Sequence, residues 1–139
     1  MPPDLPEIGT PADWLRYARS DLALARVPRP VDVLLDTLCF HAQQAVEKSL
    51  KAVLLSKEIR FPYTHDIARL ITLVSAATIA WPEELDQAAE LSEYAAESRY
   101  PGSKELVSEE DYHQALTIAE QVLAWAESVV SDEEAPSTE

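Results

Sequence analysis

The sequence predicts an all-α fold, an antiparallel, up-and-down bundle of about five helices, and three observations carry that prediction. Apolar residues recur at offsets of three, four and seven along several segments, the spacing of a helix with one buried stripe. Glycine is nearly absent, with only Gly9 and Gly102, while 47% of the chain is hydrophobic. That composition suits packed helices better than a disordered or turn-rich chain. The ten prolines fall at positions 2, 3, 6, 11, 28, 30, 62, 82, 101 and 136, and none interrupts a periodic segment. Proline is accepted in the first turn of a helix and breaks its interior, so these positions read as helix boundaries.

The first helix is expected from about Ala12 to Arg26, with Leu15, Ala18, Leu22 and Ala25 inward. The second runs from about Val31 to Lys57, and Leu34, Leu35, Leu38, Ala42, Ala45, Val46, Ser49, Ala52 and Val53 share its buried side. Thr64 reads as the N-cap of the third, with His65 and Asp66 in its first turn and Ile67, Leu70, Ile71 and Val74 as its stripe. A fourth follows Trp81-Pro82 and ends at Arg99; Leu85, Ala88, Ala89, Ser92, Ala95 and Ala96 line one side. The fifth starts at Ser108-Glu-Glu-Asp111, a cap followed by acids that suit the positive end of the helix dipole. Tyr112, Ala115, Leu116, Ala119, Val122, Leu123 and Ala126 form its stripe, widened by Ile118 and Trp125. At 139 residues the chain suits one domain, expected over 12–130, between a flexible tail at 1–11 and an acidic tail at 131–139.

Composition removes several functions. The three histidines have no ligand spacing for zinc, and two glycines cannot build a phosphate-cradling loop. No metal and no cofactor are therefore expected. Cys39 is the single cysteine, placed on the apolar side of the second helix, where an inert buried thiol is the usual outcome. No apolar run approaches a membrane span, since Glu47, Lys48 and Lys51 interrupt the longest candidate, and no signal peptide is visible. The expected compartment is the cytoplasm. Net charge is −14, and all of it arises late. Residues 1–82 carry nine basic and nine acidic side chains, whereas 83–139 carry two and sixteen. Such a field opposes nonspecific binding to nucleic acid but leaves room for a local basic patch in the first two thirds.

The second helix holds the main candidate site. At about 100° per residue, His41, Gln44, Lys48 and Lys51 fall in one arc beside the buried side. An imidazole, an amide and two ammonium groups stacked there could meet one anion, which suits a phosphate-bearing ligand. The same four could instead serve the margin of the core. His41 and Gln44 would then satisfy buried polar atoms, Lys48 would extend its stem to solvent, and Lys51 would pair with Glu47 one turn earlier.

FHAQQAVEKSLKAVL, followed by PYTHDIARLI and then SRYPG, resembles the HEPN family of small helical-bundle proteins over Phe40–Leu55, Pro62–Ile71 and Ser98–Gly102, with a compatible first helix in DWLRYARSDLALA. The resemblance implies a cytoplasmic, prokaryotic-type bundle, commonly dimeric, often paired with a minimal nucleotidyltransferase in toxin-antitoxin-like modules. It also implies nucleotide or RNA binding. By that analogy Arg99 would offer a guanidinium fork to phosphate and Tyr100 a ring face to a base; without it, the pair caps a helix end and packs one ring. Some HEPN proteins are metal-independent ribonucleases with an arginine, four to six residues, then a histidine. Arg60 and His65 have that spacing, but they flank Pro62 in a loop, whereas the nuclease motif lies on a late helix of the bundle. Binding without catalysis by this chain is therefore the expected function. The alternatives are a ribonuclease toxin using Arg60 and His65, and a non-catalytic bundle that only recruits a partner. A homodimer is expected as well, because Trp14, Tyr17 and Leu24 on the first helix and Ile118, Trp125 and Val129 on the last lie beside their main stripes.

Overall fold

The computed structural model describes residues 9–77, 79–95 and 106–134. Helix α1 spans Pro11–Ala25, α2 Leu35–Ser56, α3 Ile67–Ala76 and α4 Glu109–Glu134, and a 3-10 helix, Glu83–Tyr94, lies between α3 and α4. The described residues contain no strand, and the chain is an all-α bundle.

Helices α1, α3 and α4 begin where the sequence supplies a side-chain partner for unpaired amides, whereas α2 and the 3-10 helix start without a side-chain cap. Thr10 Oγ1 accepts from the Asp13 amide, and Asp13 Oδ2 accepts from the Thr10 amide, both at 3.0 Å. Pro11 occupies the first turn, where its missing N–H costs nothing. Hydrogen bonding to the carboxyl by the Thr10 backbone amide first, and by the Thr10 side chain second, holds Asp13 below its ordinary value. Its contribution to stability is therefore complete above the ordinary carboxyl pKa of about 3.9 and is lost as pH falls through the lowered value. Urea unfolding of Asp13→Asn should show a flatter acid limb than the parent, and superimposable limbs would contradict this. Ser108 and Asp111 repeat the device before α4, at 3.0 and 3.2 Å.

Several boundaries differ from expectation. Helix α2 starts at Leu35 because Asp32 adopts φ 75°, which ends any helix through residues 31–34. Leu34 precedes the helix and is 60% exposed. The cap of α3 is Asp66, whose carboxylate accepts from the Ala68 amide. Thr64 acts one step earlier, accepting from the Asp66 amide at 3.0 Å, so His65 lies before the helix. At the ends, Pro11 is already helical, and α4 continues four residues past 130, since neither proline nor glycine occurs before Pro136.

The fourth helix departs furthest from the sequence reading. It is a 3-10 helix, and its buried residues are Leu85, Ala88, Leu91 and Tyr94. Those four stand three apart, and a 3-10 helix eclipses every third side chain. A 3.6-residue period chose the smaller Ala89, Ser92 and Ala96 instead, and of these Ala96 lies outside the described residues.

Contacts give the topology. Asp21 reaches His41 and Lys48, while Trp14 faces Lys51, so α1 and α2 are antiparallel. Arg19 pairs with Glu127 and Arg26 with Glu120, so α1 is antiparallel to α4 as well. At the far end, the Tyr112 hydroxyl donates to the Ala25 carbonyl, and burial pushes its phenol above the ordinary value. Helix α2 is the central element, packed by α1, α3, the 3-10 helix and α4. It therefore buries Leu38, Cys39, Ala42, Ala45, Val46, Leu50, Ala52, Val53 and Leu54, together with Gln43, Glu47, Ser49 and Lys51. A helix surrounded on most sides must pair its polar groups internally.

Candidate functional site

The flank of α2 lies between α1 and the connection 57–66, and two carboxylates organise it. From α1, Asp21 takes Lys48 Nζ at 2.6 Å on one oxygen and His41 Nδ1 at 2.9 Å on the other. Within α2, Glu47 takes Lys51 Nζ at 2.8 Å on Oε2, while its Oε1 accepts from Gln43 at 3.0 Å and from His65 Nδ1 at 2.9 Å. Gln44 extends the Glu47 group along the helix, donating to Gln43 Oε1 at 2.8 Å. A carboxylate only accepts, so each imidazole presents Nδ1–H to it and keeps Nε2 for another partner.

Burial grades from the carboxylates outward. The Glu47 and Lys51 side chains are 4% and 5% exposed, Asp21 is 14%, and Lys48, His41 and His65 are 22%, 24% and 29%. Aromatic rings close the Lys51 end. Trp14 and Phe61 meet edge to face, and Lys51 Nζ stands 5.7 and 5.6 Å from their centroids. The Trp14 Nε1–H is buried there without a hydrogen-bond partner among the described residues. Toward solvent, Tyr17 is 56% exposed with Lys48 Nζ 5.9 Å from its ring, and Tyr63 is 92% exposed against His65 at 5.6 Å.

The structure thus sorts the sequence-predicted residues. His41, Gln44 and Lys48 are half-buried along one flank, whereas Lys51 is buried and committed to Glu47. The pairing of Lys51 with Glu47 is the alternative that the sequence had offered. His65 joins the same network through Glu47. Arg60 is exposed on the connection and forms no ion pair among the described residues; it and His65 flank Pro62 outside any helix. Arg99 and Tyr100 lie outside the described residues. Sequence reasoning missed Asp21, Gln43 and the wider role of Glu47. Asp21 did carry a signal, as an acid placed between the buried positions Ala18 and Leu22, well past the first turn where Asp13 serves the cap.

Other surfaces were also reassigned. Trp125 stacks edge to face on Trp81 at 5.0 Å and donates to the Ala80 carbonyl, while Ile118 is 7% exposed. Ile118 therefore belongs to the core of one chain, while Trp125 is half-buried against Ala80 and Trp81. A cavity of about 390 Å³ between α1 and α4 is lined by Ala12, Leu15, Arg19, Glu127, Val130 and Ser131. Its two charges already pair with each other. Among the described residues, no group of three His, Cys, Asp or Glu side chains could hold a metal, and no helix is long and apolar enough to cross a membrane.

Comparison with known proteins adds a context. Residues 11–129 match the HEPN domain. The fold is similar to the crystal structure of an archaeal HEPN homologue, with a TM-score of 0.71 and 25% identity, covering 88% of this chain and 99% of that one. It is also similar to the crystal structure of a Thermus thermophilus protein, with a TM-score of 0.71 and 28% identity, covering 86% and 97% respectively. No curated protein matches.

Proposed function

Since the chain belongs to the HEPN domain family, we propose that it is the nucleotide- or RNA-binding component of a two-protein, toxin-antitoxin-like module whose other member is a minimal nucleotidyltransferase. The observation that supports this most is the α2 flank, where Lys48, His41 and Gln44 are half-buried along one arc and Lys48 stands 5.9 Å from the exposed ring of Tyr17. Ammonium, imidazole and amide groups recognise phosphate, and an exposed aromatic face stacks on a base. The protein works in the cytoplasm and needs no cofactor or metal.

Lys48→Ala tests this directly. Loss of one charged contact should weaken nucleotide or RNA binding about tenfold, or about 1.4 kcal/mol, with unfolding otherwise intact. Unchanged affinity at constant salt would instead favour a bundle that only recruits a partner. A second reading, ribonuclease action, draws on His65, whose imidazole Glu47 orients as a base would be oriented. Purified protein should nevertheless leave RNA intact without divalent metal. Cleavage abolished by Arg60→Ala and by His65→Ala, with folding preserved, would reverse this ranking.

Self-association is part of the same proposal. Leu24, one residue before the end of α1, remains 46% exposed. A two-fold contact there would bury the same patch on both copies. Sedimentation across a concentration series should show a dimer that Leu24→Glu dissociates, and a monomer at high micromolar concentration would refute it.

A further inference from the structure

We infer that Glu83–Tyr94 is a two-state element, exchanging between its 3-10 form and an α-helix that pivots on the first half of the segment and releases the start of α3 from Ser92. The exchange is independent of the binding reading above.

Length and composition point to the second state. Runs of 3-10 helix beyond about four residues are uncommon, because their hydrogen-bond geometry is poorer than that of an α-helix, and this one holds 12 residues. Its sequence, EELDQAAELSEY, consists mostly of Glu, Leu, Gln and Ala and contains no Gly, Pro or β-branched residue. Local propensity therefore favours an α-helix. Tertiary contact holds the 3-10 form instead, through Leu85, Ala88, Leu91 and Tyr94, buried at a spacing of three. An α-helical stripe is open to the same sequence through Leu85, Ala88, Ala89 and Ser92. The two registers share Leu85 and Ala88 and part after them.

The hydrogen bonds divide the segment at the same place. In the first half, Asp86 accepts from Trp81 Nε1 at 2.6 Å, and Gln87 accepts from Gln114 of α4 at 3.1 Å. In the second half, Ser92 Oγ accepts at 2.8 Å from the Ile67 amide, one of those that α3 leaves open in its first turn. A 3-10 helix advances about 120° per residue and an α-helix about 100°, so the two forms diverge by about 20° per residue. Counted from Leu85, Asp86 and Gln87 turn by only about 20° and 40°, within reach of their partners. Ser92 turns by about 140° and is drawn about 3.5 Å back along the axis, which breaks its bond to Ile67. Leu91 and Tyr94 turn by about 120° and 180°, out of the buried line, while Ala89 and Ser92 enter it. Leu91 and Tyr94 bury more apolar surface than Ala89 and Ser92, so the 3-10 form is the major state.

The consequence reaches the connection before α3. Ile67 follows directly on His65 and Asp66, where the His65 carbonyl accepts from Gln43 and the His65 ring meets Glu47. With Ser92 withdrawn, the start of α3 loses its tie to the 3-10 segment and keeps the Asp66 cap and the contacts of His65 with α2. The register of Glu83–Tyr94 thereby sets how firmly the His65 end of the connection is held.

The test is NMR relaxation dispersion on the whole protein. A minor state of about 1%, exchanging in microseconds to milliseconds, should give Ile67, Leu91, Ser92 and Tyr94 one shared exchange rate, with flat profiles at Asp86 and Gln87. Ala89→Leu/Leu91→Gln moves apolar volume from the 3-10 line to the α line and should make the α form the major one. Hα(i)–HN(i+4) contacts should then replace Hα(i)–HN(i+2) contacts along the segment. The Ile67 amide should exchange with solvent about tenfold faster, while Ala68, capped by Asp66, is unchanged. Flat profiles at Ile67, Leu91, Ser92 and Tyr94 of the parent, or dispersion spread evenly from Glu83 to Tyr94, would overturn the inference without any variant. A folded double variant that keeps its Hα(i)–HN(i+2) contacts would do the same, as would one that turns α-helical and leaves Ile67 as protected as in the parent.

Discussion

Glu47→Ala is expected to lower the unfolding free energy by about 3–5 kcal/mol, the range for removing one partner of a buried ion pair. Glu47 receives Lys51, Gln43 and His65 within 3.0 Å while only 4% exposed. Its removal strands the Lys51 ammonium between Trp14 and Phe61, where water has little access. Two controls separate charge from shape. Glu47→Gln keeps the volume and some hydrogen bonds, so its loss should be smaller. Glu47→Leu combined with Lys51→Met removes both charges and should recover most of the stability, as apolar replacements of buried pairs often do. Urea midpoints at a common slope would measure all three. A loss below about 1 kcal/mol for Glu47→Ala would mean that Lys51 escapes to solvent, as a surface lysine would.

Asp21→Asn should act in opposite directions on stability and on binding. Asp21 joins α1 to α2 through Lys48 and His41, so replacing the carboxylate should cost about 1–3 kcal/mol, the range for hydrogen bonds to charged groups. The same change releases Lys48 from its partner and removes a negative charge from the flank. On the proposed nucleotide- or RNA-binding reading, affinity for that ligand should therefore rise about tenfold, equivalent to about 1.4 kcal/mol. A protein that is less stable and binds more tightly is hard to explain by structural damage. Weaker binding by a folded Asp21→Asn would show that Asp21 positions Lys48 and His41 for the ligand instead of competing with it.

Periodicity and caps made most of the bundle legible. Leu15, Ala18, Leu22 and Ala25 are buried as their spacing required, as are Ile67, Leu70 and Val74, and the Ser108–Asp111 cap starts the last helix as expected. The misses share a cause. Thr64 and Asp66 are both good cap residues, and only the backbone path decides which one faces the open amides. Asp32 has a positive φ that no pattern of apolar residues announces. The polar flank was legible as an arc on one helix, but its organisation depends on a carboxylate from α1 and a histidine from the connection. Partners 20 to 27 residues away in sequence, such as Asp21 for His41 and Lys48, leave no trace in a window of one helix.

The 3-10 segment Glu83–Tyr94 constrains how this chain can change length. Its buried line of Leu85, Ala88, Leu91 and Tyr94 repeats at a whole number of residues. Inserting or deleting three residues there adds or removes about one full turn, some 6 Å, and returns every later side chain to its former bearing. One or two residues would swing the remainder about 120° or 240° and turn Tyr94 out of the core. An α-helix, at 3.6 residues per turn, has no short insertion that closes so well. Length variation in this stretch should therefore come in triplets, a rule read from the geometry of one helix and applied to the gaps between related sequences.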